Sequence, residues 1–125
     1  MAIKVLLADD SKDGRQAIKT LFEYYPGMNV VGEAENLDEA VLKSFELRPD
    51  VVVLDLRLAA GGITPQQRDF ISKAKLVAIT VGADASSNTL AQNIGARELV
   101  DKSDLSRTLI PTILRLARTK TAGAG

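Results

Sequence analysis

Short apolar runs rich in β-branched residues alternate with helical patterns along the whole chain. Five such runs predict strands: Ile3 to Ala8, Met28 to Glu33, Val51 to Leu54, Leu76 to Thr80 and Glu98 to Val100. Strands that alternate with helices form parallel sheets, because each parallel connection has to cross a face of the sheet. The pattern therefore predicts an α/β fold, in which helices cover both faces of a five-stranded parallel sheet.

The first helix is predicted by apolar residues that share one helical face, and Pro26-Gly27 ends it. These residues are Ala17, Ile18, Leu21, Phe22 and Tyr25. The second helix opens at Asn36, with Glu39 placed as in a capping box, and ends before Pro49. Its helical pattern continues through Ala40, Val41, Ser44 and Phe45.

Three more helices follow in the second half of the chain. Thr64 and Gln67 have the spacing of a capping box around Pro65, which predicts a short helix to about Lys73. A fourth helix over 86–94 turns only Leu90, Ala91 and Ile94 inward. A fifth begins near Ser103 and contains Pro111, which we expect to kink it.

Length and composition indicate one domain. The chain has 125 residues, of which 46% are hydrophobic and 26% charged, and this suits a single core. We expect the domain to span 1–118 and the last seven residues, 119–125, to form a flexible tail. Sixteen basic and sixteen acidic residues cancel, so no net field favours direct binding of nucleic acid or an anionic membrane.

The chain contains no cysteine and no histidine. Disulfides, thiol chemistry, histidine-based triads, histidine-ligated metals and phosphotransfer through an internal histidine are therefore excluded. No apolar run approaches the length that spans a membrane, and Lys4 interrupts the N-terminal run before a signal-like core forms. These features predict a cytoplasmic protein.

The stretch LLADDSKDG places two acids, Asp9 and Asp10, directly after the first strand. Adjacent carboxylates repel each other, so the pair needs an explanation. One explanation is that they cap the helix that follows, since carboxylates there accept free backbone N–H groups and complement the helix dipole. The other is a chemical role, and the stretch alone does not decide between the two.

Polar side chains also follow the other central strands. Asp55 follows the third strand, Thr80 ends the fourth, and Lys102 lies just past the fifth. Because the carboxyl ends of parallel strands share one edge of the sheet, we expect these residues to meet Asp9 and Asp10 there. Clustered carboxylates attract a hard divalent cation, which also accepts phosphate oxygens, and Mg²⁺ is the natural candidate. An acid beside such a cation has the chemistry of a phosphoryl acceptor.

These motifs resemble those of bacterial two-component response-regulator receiver domains over nearly the whole chain, from Ile3 to about Ala117. The matching motifs are LLADD, VVVLDLRL, VAIT and GARELVDKS. The phrases IKVLLADDS and VVGEAENLDEAV, and a Ser after Lys102, are most similar to receivers of LuxR-type regulators. The resemblance implies the CheY-like, flavodoxin-like fold, a doubly wound sheet in the order 2-1-3-4-5 with five helices.

Residue by residue, the resemblance implies a phosphorylation site. Asp55 would accept the phosphoryl group, and Asp10, Asp55 and the Arg57 backbone carbonyl would bind Mg²⁺, with Asp9 assisting through water. Lys102 would pair with one phosphoryl oxygen and Thr80 would hydrogen-bond another.

The resemblance also implies the partners. The donor would be a histidine kinase, a phosphotransfer protein or a small acyl phosphate. The recipient of the signal would be an output domain or downstream protein, and a homodimer is possible. The chain itself would catalyse only its own phosphorylation and dephosphorylation.

Three features depart from the family pattern. The loop RLAAGGITP has Ala59 and Ala60 where a Pro is usual, and the segment from Asp55 to Thr80 is a few residues short. Leu99 occupies the position of an aromatic residue that, in the family, fills the space vacated when Thr80 moves toward the phosphoryl group. We therefore keep, as an alternative, a degenerate receiver that docks proteins without phosphate.

Two enzyme classes fit the sequence poorly. A flavodoxin-like nucleotide binder would need a glycine-rich phosphate loop after the first strand, where Asp9 and Asp10 stand instead. A Mg²⁺-dependent phosphohydrolase would place a second acid close after its nucleophile, whereas Leu56 and Arg57 follow Asp55.

Overall fold

Five parallel strands form one sheet in the order β2-β1-β3-β4-β5, as the resemblance implies. The computed structural model describes residues 2–118. The strands are β1 (Ile3–Ala8), β2 (Met28–Ala34), β3 (Val51–Asp55), β4 (Lys75–Thr80) and β5 (Glu98–Asp101). Each lies within one residue of its predicted bounds, so the predicted α/β topology is confirmed. The tail predicted for 119–125 lies outside the described residues.

Five α-helices connect and follow these strands. They are α1 (Lys12–Phe22), α2 (Leu37–Leu47), α3 (Pro65–Ile71), α4 (Ala85–Asn93) and α5 (Leu105–Ala117). Two short 3-10 helices, Leu56–Ala59 and Lys102–Asp104, follow β3 and β5. The α5 helix therefore starts two residues later than the sequence predicted, and it continues through Pro111.

Alternating side chains of the strands build a hydrophobic core on each face of the sheet. On one face, Val5 and Leu7 pack with Ile18 of α1 and Ile113 of α5. On the other face, buried residues of the strands pack against α2, α3 and α4. Within residues 2–118, helices cover both faces of the central strands, and the carboxyl ends of these strands carry the predicted site.

The capping box predicted for α3 is complete, whereas at α2 only the Asn36 half is seen and the Glu39 carboxylate accepts from Lys43 at 3.3 Å. The Asn36 side chain accepts the N–H of Glu39 at 2.8 Å. Thr64 and Gln67 form a complete capping box, with Pro65 in the first turn. These caps were predictable from the sequence because their hydrogen bonds join residues three positions apart and depend on no tertiary contact.

Of two aromatic residues in the predicted helical patterns, one lies outside its helix and the other lies on its helix but is exposed. The α1 helix ends at Phe22, and Tyr25 stands in the following turn, where its N–H donates to the carbonyl of Phe22 at 2.9 Å. Phe45 lies on α2 but is 61% exposed, and its ring packs edge-on against Phe70 of α3. Helical spacing alone does not say how far the neighbouring helix α3 extends over the side chain. Among residues 2–118, no helix has the length and apolar character needed to cross a bilayer.

Candidate functional site

The carboxyl ends of β1, β3, β4 and β5 bring the predicted residues to one edge of the sheet. Asp9 and Asp10 follow β1, Asp55 is the last residue of β3, Thr80 is the last of β4, and Lys102 follows β5. Parallel pairing of β1 with β3, of β3 with β4 and of β4 with β5 fixes this arrangement. The predicted convergence of these residues at one rim is therefore present in the fold.

The three acids differ in exposure. The side chains of Asp9 and Asp55 are each only 2% exposed, whereas that of Asp10 is 53% exposed. One carboxylate oxygen from each acid lies within 4.8 Å of the other two. Asp10 is thus the part of the cluster that faces water.

Helix capping does not account for the acid pair. The cap of α1 is Ser11, whose hydroxyl accepts the N–H of Gly14 at 3.0 Å. Asp9 instead accepts the N–H of Ser11 at 2.9 Å, which shapes the turn between β1 and α1. The capping explanation of Asp9 and Asp10 is therefore wrong.

Lys102 lies across the two buried acids. Its Nζ donates to an oxygen of Asp55 at 2.6 Å and to Asp9 at 3.0 Å. Burial lowers the pKa of the Lys102 ammonium, but hydrogen bonds from the ammonium to Asp55 and Asp9 outweigh burial and raise that pKa above its ordinary value. The ammonium is therefore a permanent positive charge beside Asp55.

The side chain of Arg57 also enters the cluster. One of its terminal nitrogens, Nη2, lies 2.8 Å from Asp10, 3.0 Å from Asp55 and 3.5 Å from Asp9. Sequence reasoning assigned Arg57 only through its backbone carbonyl and missed the guanidinium. The available signal was an arginine two residues after the acid that ends β3, at a rim rich in carboxylates.

Asp55 is ionised at neutral pH. Burial raises the pKa of its carboxyl, but hydrogen bonds from Arg57 and Lys102 outweigh burial and hold that pKa below its usual value. Its oxygens also accept the backbone N–H of Arg57 at 2.9 Å. The carboxylate is thus ionised and fixed in position by its neighbours.

Thr80 lies beside this cluster. It lines a shallow pocket of about 260 Å³ with Arg57, Ala60 and Asp84. On the neighbouring strand, Leu99 pairs with Ala78 and is partly buried against the core on the α4 side. The two residues of the family's switch thus occupy adjacent strands, with leucine in place of the aromatic residue.

Two further residues support the rim and were missed from the sequence. Arg15 is buried and donates to the backbone carbonyl of Asp9 at 2.5 Å, and it also pairs with Glu33 of β2 at 2.9 Å. Asp101 accepts the N–H of Ala83, which ties the loop after β4 to the end of β5. The Arg15–Asp9 contact spans 6 residues and the Asp101–Ala83 contact spans 18, and both depend on how the chain turns after a strand, so neither was predicted from the sequence.

The donor set fits Mg²⁺. Three carboxylates close to one another offer the hard oxygen ligands that this ion prefers. The carbonyl of Arg57 accepts a hydrogen bond from the N–H of Ala60 at 3.3 Å, which leaves its second lone pair available.

Comparison with known proteins shows the family. Residues 5–114 match the model of the response regulator receiver domain, and the chain belongs to this family. It is 36% identical over 104 residues to protein-glutamate methylesterase/protein-glutamine glutaminase 3 of Syntrophomonas wolfei, covering 80% of this chain and 30% of the relative. It is 33% identical over 103 residues to the response regulator GacA of Pseudomonas syringae pv. syringae, covering 80% of this chain and 48% of GacA. The chain thus spans less than half of these curated relatives.

Solved structures agree with the fold. A LuxR-family two-component response regulator from Aurantimonas sp. SI85-9A1 is 28% identical, with a TM-score of 0.80 over 94% of this chain and 86% of the other. The response regulator domain of Thermotoga maritima CheB has the same fold, with a TM-score of 0.82 over 97% of this chain and all of the other. The similarity to LuxR-type receivers predicted from the sequence is therefore confirmed, and receivers of methylesterases are similar as well.

Proposed function

We propose that this chain is the phosphoacceptor receiver of a two-component system, phosphorylated on Asp55 in the presence of Mg²⁺, and that phosphorylation switches a protein partner or an output domain. The observation that carries the proposal is the state of Asp55. It is a buried, ionised carboxylate at the end of a central strand, 2.6 Å from the Lys102 ammonium and within reach of two further acids.

The reaction is a phosphoryl transfer to a carboxylate. An oxygen of Asp55 attacks the phosphorus of a phosphohistidine on a kinase or phosphotransfer protein. A P–O bond forms as the P–N bond breaks, and the bonding electron pair leaves with the imidazole nitrogen. With a small acyl phosphate, a carboxylate leaves instead. Later attack of water on the phosphorus returns inorganic phosphate and the free Asp55 carboxylate.

The neighbouring residues have separate tasks in this proposal. Asp10, Asp55 and the Arg57 carbonyl would hold Mg²⁺, with Asp9 assisting through water. When bound, Mg²⁺ neutralises negative charge on the transferring phosphoryl group. Lys102 neutralises a further phosphoryl oxygen, and the Thr80 hydroxyl donates a hydrogen bond to another, which links the phosphoryl group to β4.

The partners follow from the same chemistry. The donor is a histidine kinase, a phosphotransfer protein or a small acyl phosphate, and we propose that the receiver acts in the cytoplasm. The names of the relatives, a methylesterase and a response regulator, support an output outside the receiver, either in a further domain or in a separate protein. A homodimer is compatible with this role.

The test is incubation with acetyl phosphate, with and without Mg²⁺, followed by intact mass measurement. We expect a single phosphoryl adduct that requires Mg²⁺ and is absent from Asp55→Asn. The matched control is Asp13→Asn, which removes an exposed acid from the first turn of α1 and should keep the adduct. Absence of any adduct on the folded parent would instead support the phosphate-independent docking module.

A further inference from the structure

The side chain of Arg57 occupies the place where a divalent cation would sit. Its Nη2 contacts one oxygen of each of the three acids, at 2.8 Å from Asp10, 3.0 Å from Asp55 and 3.5 Å from Asp9. A magnesium ion held by Asp10 and Asp55 would compete for the same space, because Nη2 already lies between the oxygens of those two acids. Arg57 and Mg²⁺ therefore exclude each other from these carboxylates.

The two basic side chains of the cluster differ in their freedom to leave it. Lys102 is 21% exposed and lies beneath the rim on the two buried acids, whereas Arg57 is 60% exposed. The guanidinium also makes its shortest bond to Asp10, the exposed acid. Arg57 can thus swing into water more readily than Lys102, although it then gives up the bonds from its Nε and Nη2 to the buried Asp55, at 3.0 to 3.3 Å.

Charge explains what Arg57 does before metal binds. Three carboxylates face two cations, so Arg57 and Lys102 together leave a single net negative charge in the cluster. Without Arg57, the metal-free cluster would carry more uncompensated negative charge at the same positions. The side chain therefore stabilises the metal-free state, and metal binding has to overcome that stabilisation.

We propose that the Arg57 guanidinium is a built-in competitor of Mg²⁺, so that metal binding at this site is an exchange of Arg57 for the ion. This inference rests on the proposed function, since it concerns the same metal site, and it assigns to Arg57 a role in setting the Mg²⁺ concentration at which the receiver becomes competent. The backbone carbonyl of Arg57, one of the proposed ligands, is unchanged in every variant, so the side chain can be tested separately.

Calorimetric titration of the metal-free protein with MgCl₂ tests the exchange. We expect Arg57→Gln to bind Mg²⁺ about two- to fivefold more tightly than the parent, the size of effect that partly exposed ion pairs give. Arg57→Lys keeps the charge without the planar fork and should fall between the two. The matched control is Arg115→Gln, which removes an arginine paired with Glu98 at the far end of α5 and should leave the affinity unchanged.

A second measurement needs no variant. In ¹⁵N-labelled parent, the side-chain N–H signal of Arg57 should move toward that of a solvated arginine as Mg²⁺ is added, while the signal of Arg115 stays in place. The proposal is supported by this movement together with tighter binding to Arg57→Gln.

The same titrations distinguish an error in the proposed exchange from an error in the proposed metal site. If the parent binds Mg²⁺ but folded Arg57→Gln binds it equally or more weakly, or the Arg57 signal does not move, the exchange is overturned and the metal site stands. If neither the parent nor the variants bind Mg²⁺, the metal site of the proposed function is overturned together with the exchange.

Discussion

At the scale of single residues, the fold has to stabilise negative charges that are buried at the site. Asp9 and Asp55 are almost completely buried, and an isolated buried carboxylate would be strongly destabilising. Lys102 pairs with both acids, and Arg57 closes the cluster on the solvent side. These pairs explain how the fold tolerates three acids at one rim before any cation or phosphoryl group arrives.

The exposed acid is the one whose removal separates metal binding from stability. We expect Asp10→Ala to weaken Mg²⁺ binding by at least about tenfold, since even loss of an outer-shell partner costs that much. Repulsion among the clustered acids alone would predict that metal-free Asp10→Ala is more stable than the metal-free parent. Because Asp10 is 53% exposed and pairs with Arg57, we instead expect the free energies of unfolding of the two metal-free proteins to differ by less than about 0.5 kcal/mol.

Calorimetry and thermal unfolding of Asp10→Ala beside Asp13→Ala check both parts. An Asp10→Ala variant that binds Mg²⁺ as tightly as the parent would remove Asp10 from the metal site. A large rise in its metal-free melting temperature would show that Arg57 does not neutralise the cluster.

Asp101 predicts a pH dependence of stability. Hydrogen bonds from the backbone N–H groups of Ser103 and Ala83 lower the pKa of its carboxyl to about 2. The ionised carboxyl therefore stabilises the fold fully above the unfolded pKa of about 4, and this contribution is lost as the pH falls from about 4 to about 2. We expect the gap in unfolding free energy between the parent and Asp101→Asn, measured in urea, to shrink over that range. A gap that is the same at pH 6 and pH 2 would contradict this assignment.

At the scale of elements, features set by residues close together in the sequence were predictable, and features set by contacts between distant segments were not. The boundaries of the strands and the cap of α3 at Thr64 follow from patterns within a few residues. The end of α1 before Tyr25 and the exposure of Phe45 depend on how the chain turns and on how far α3 covers α2. The same limit applies to the site, where the placement of Asp55 was predictable from strand order but the reach of the Arg57 side chain was not.

The prediction about signalling concerns Leu99 of β5. Leucine is more compact than tyrosine and has no hydroxyl, so the inward and outward states of Leu99 differ less in buried area, at about 25 cal/mol per Å². A smaller difference gives a smaller shift between conformations when Asp55 is modified. We expect the phosphate-mimicking beryllium fluoride complex to change amide exchange at 97–102 less in the parent than in Leu99→Tyr.

Self-association of the two proteins, followed in the same complexes, is the second readout of this comparison. Changes in the parent that are localised to 97–102 and as strong as those of Leu99→Tyr would show that leucine serves as a full switch. The argument from side-chain size would then be wrong, while the phosphorylation site itself would be unaffected.

At the scale of the whole molecule, the strand order makes the site. The central strand β3 lies between β1 and β4, so Asp55 is flanked by the acid pair on one side and by Thr80 on the other. Lys102 reaches the acids from beyond β5. A linear sequence predicts this convergence once the order 2-1-3-4-5 is assumed, because parallel strands present their carboxyl ends at one edge.

The most direct measurement is the identity of the residue that carries the phosphoryl group. After reaction with acetyl phosphate and Mg²⁺, reduction with borohydride converts an aspartyl phosphate to homoserine, and peptide mass spectrometry locates it. We predict homoserine at position 55 and at no other aspartate. Homoserine at Asp9, Asp10 or Asp101, or an unmodified Asp55 in a protein that carries the adduct, would contradict Asp55 as the phosphoacceptor.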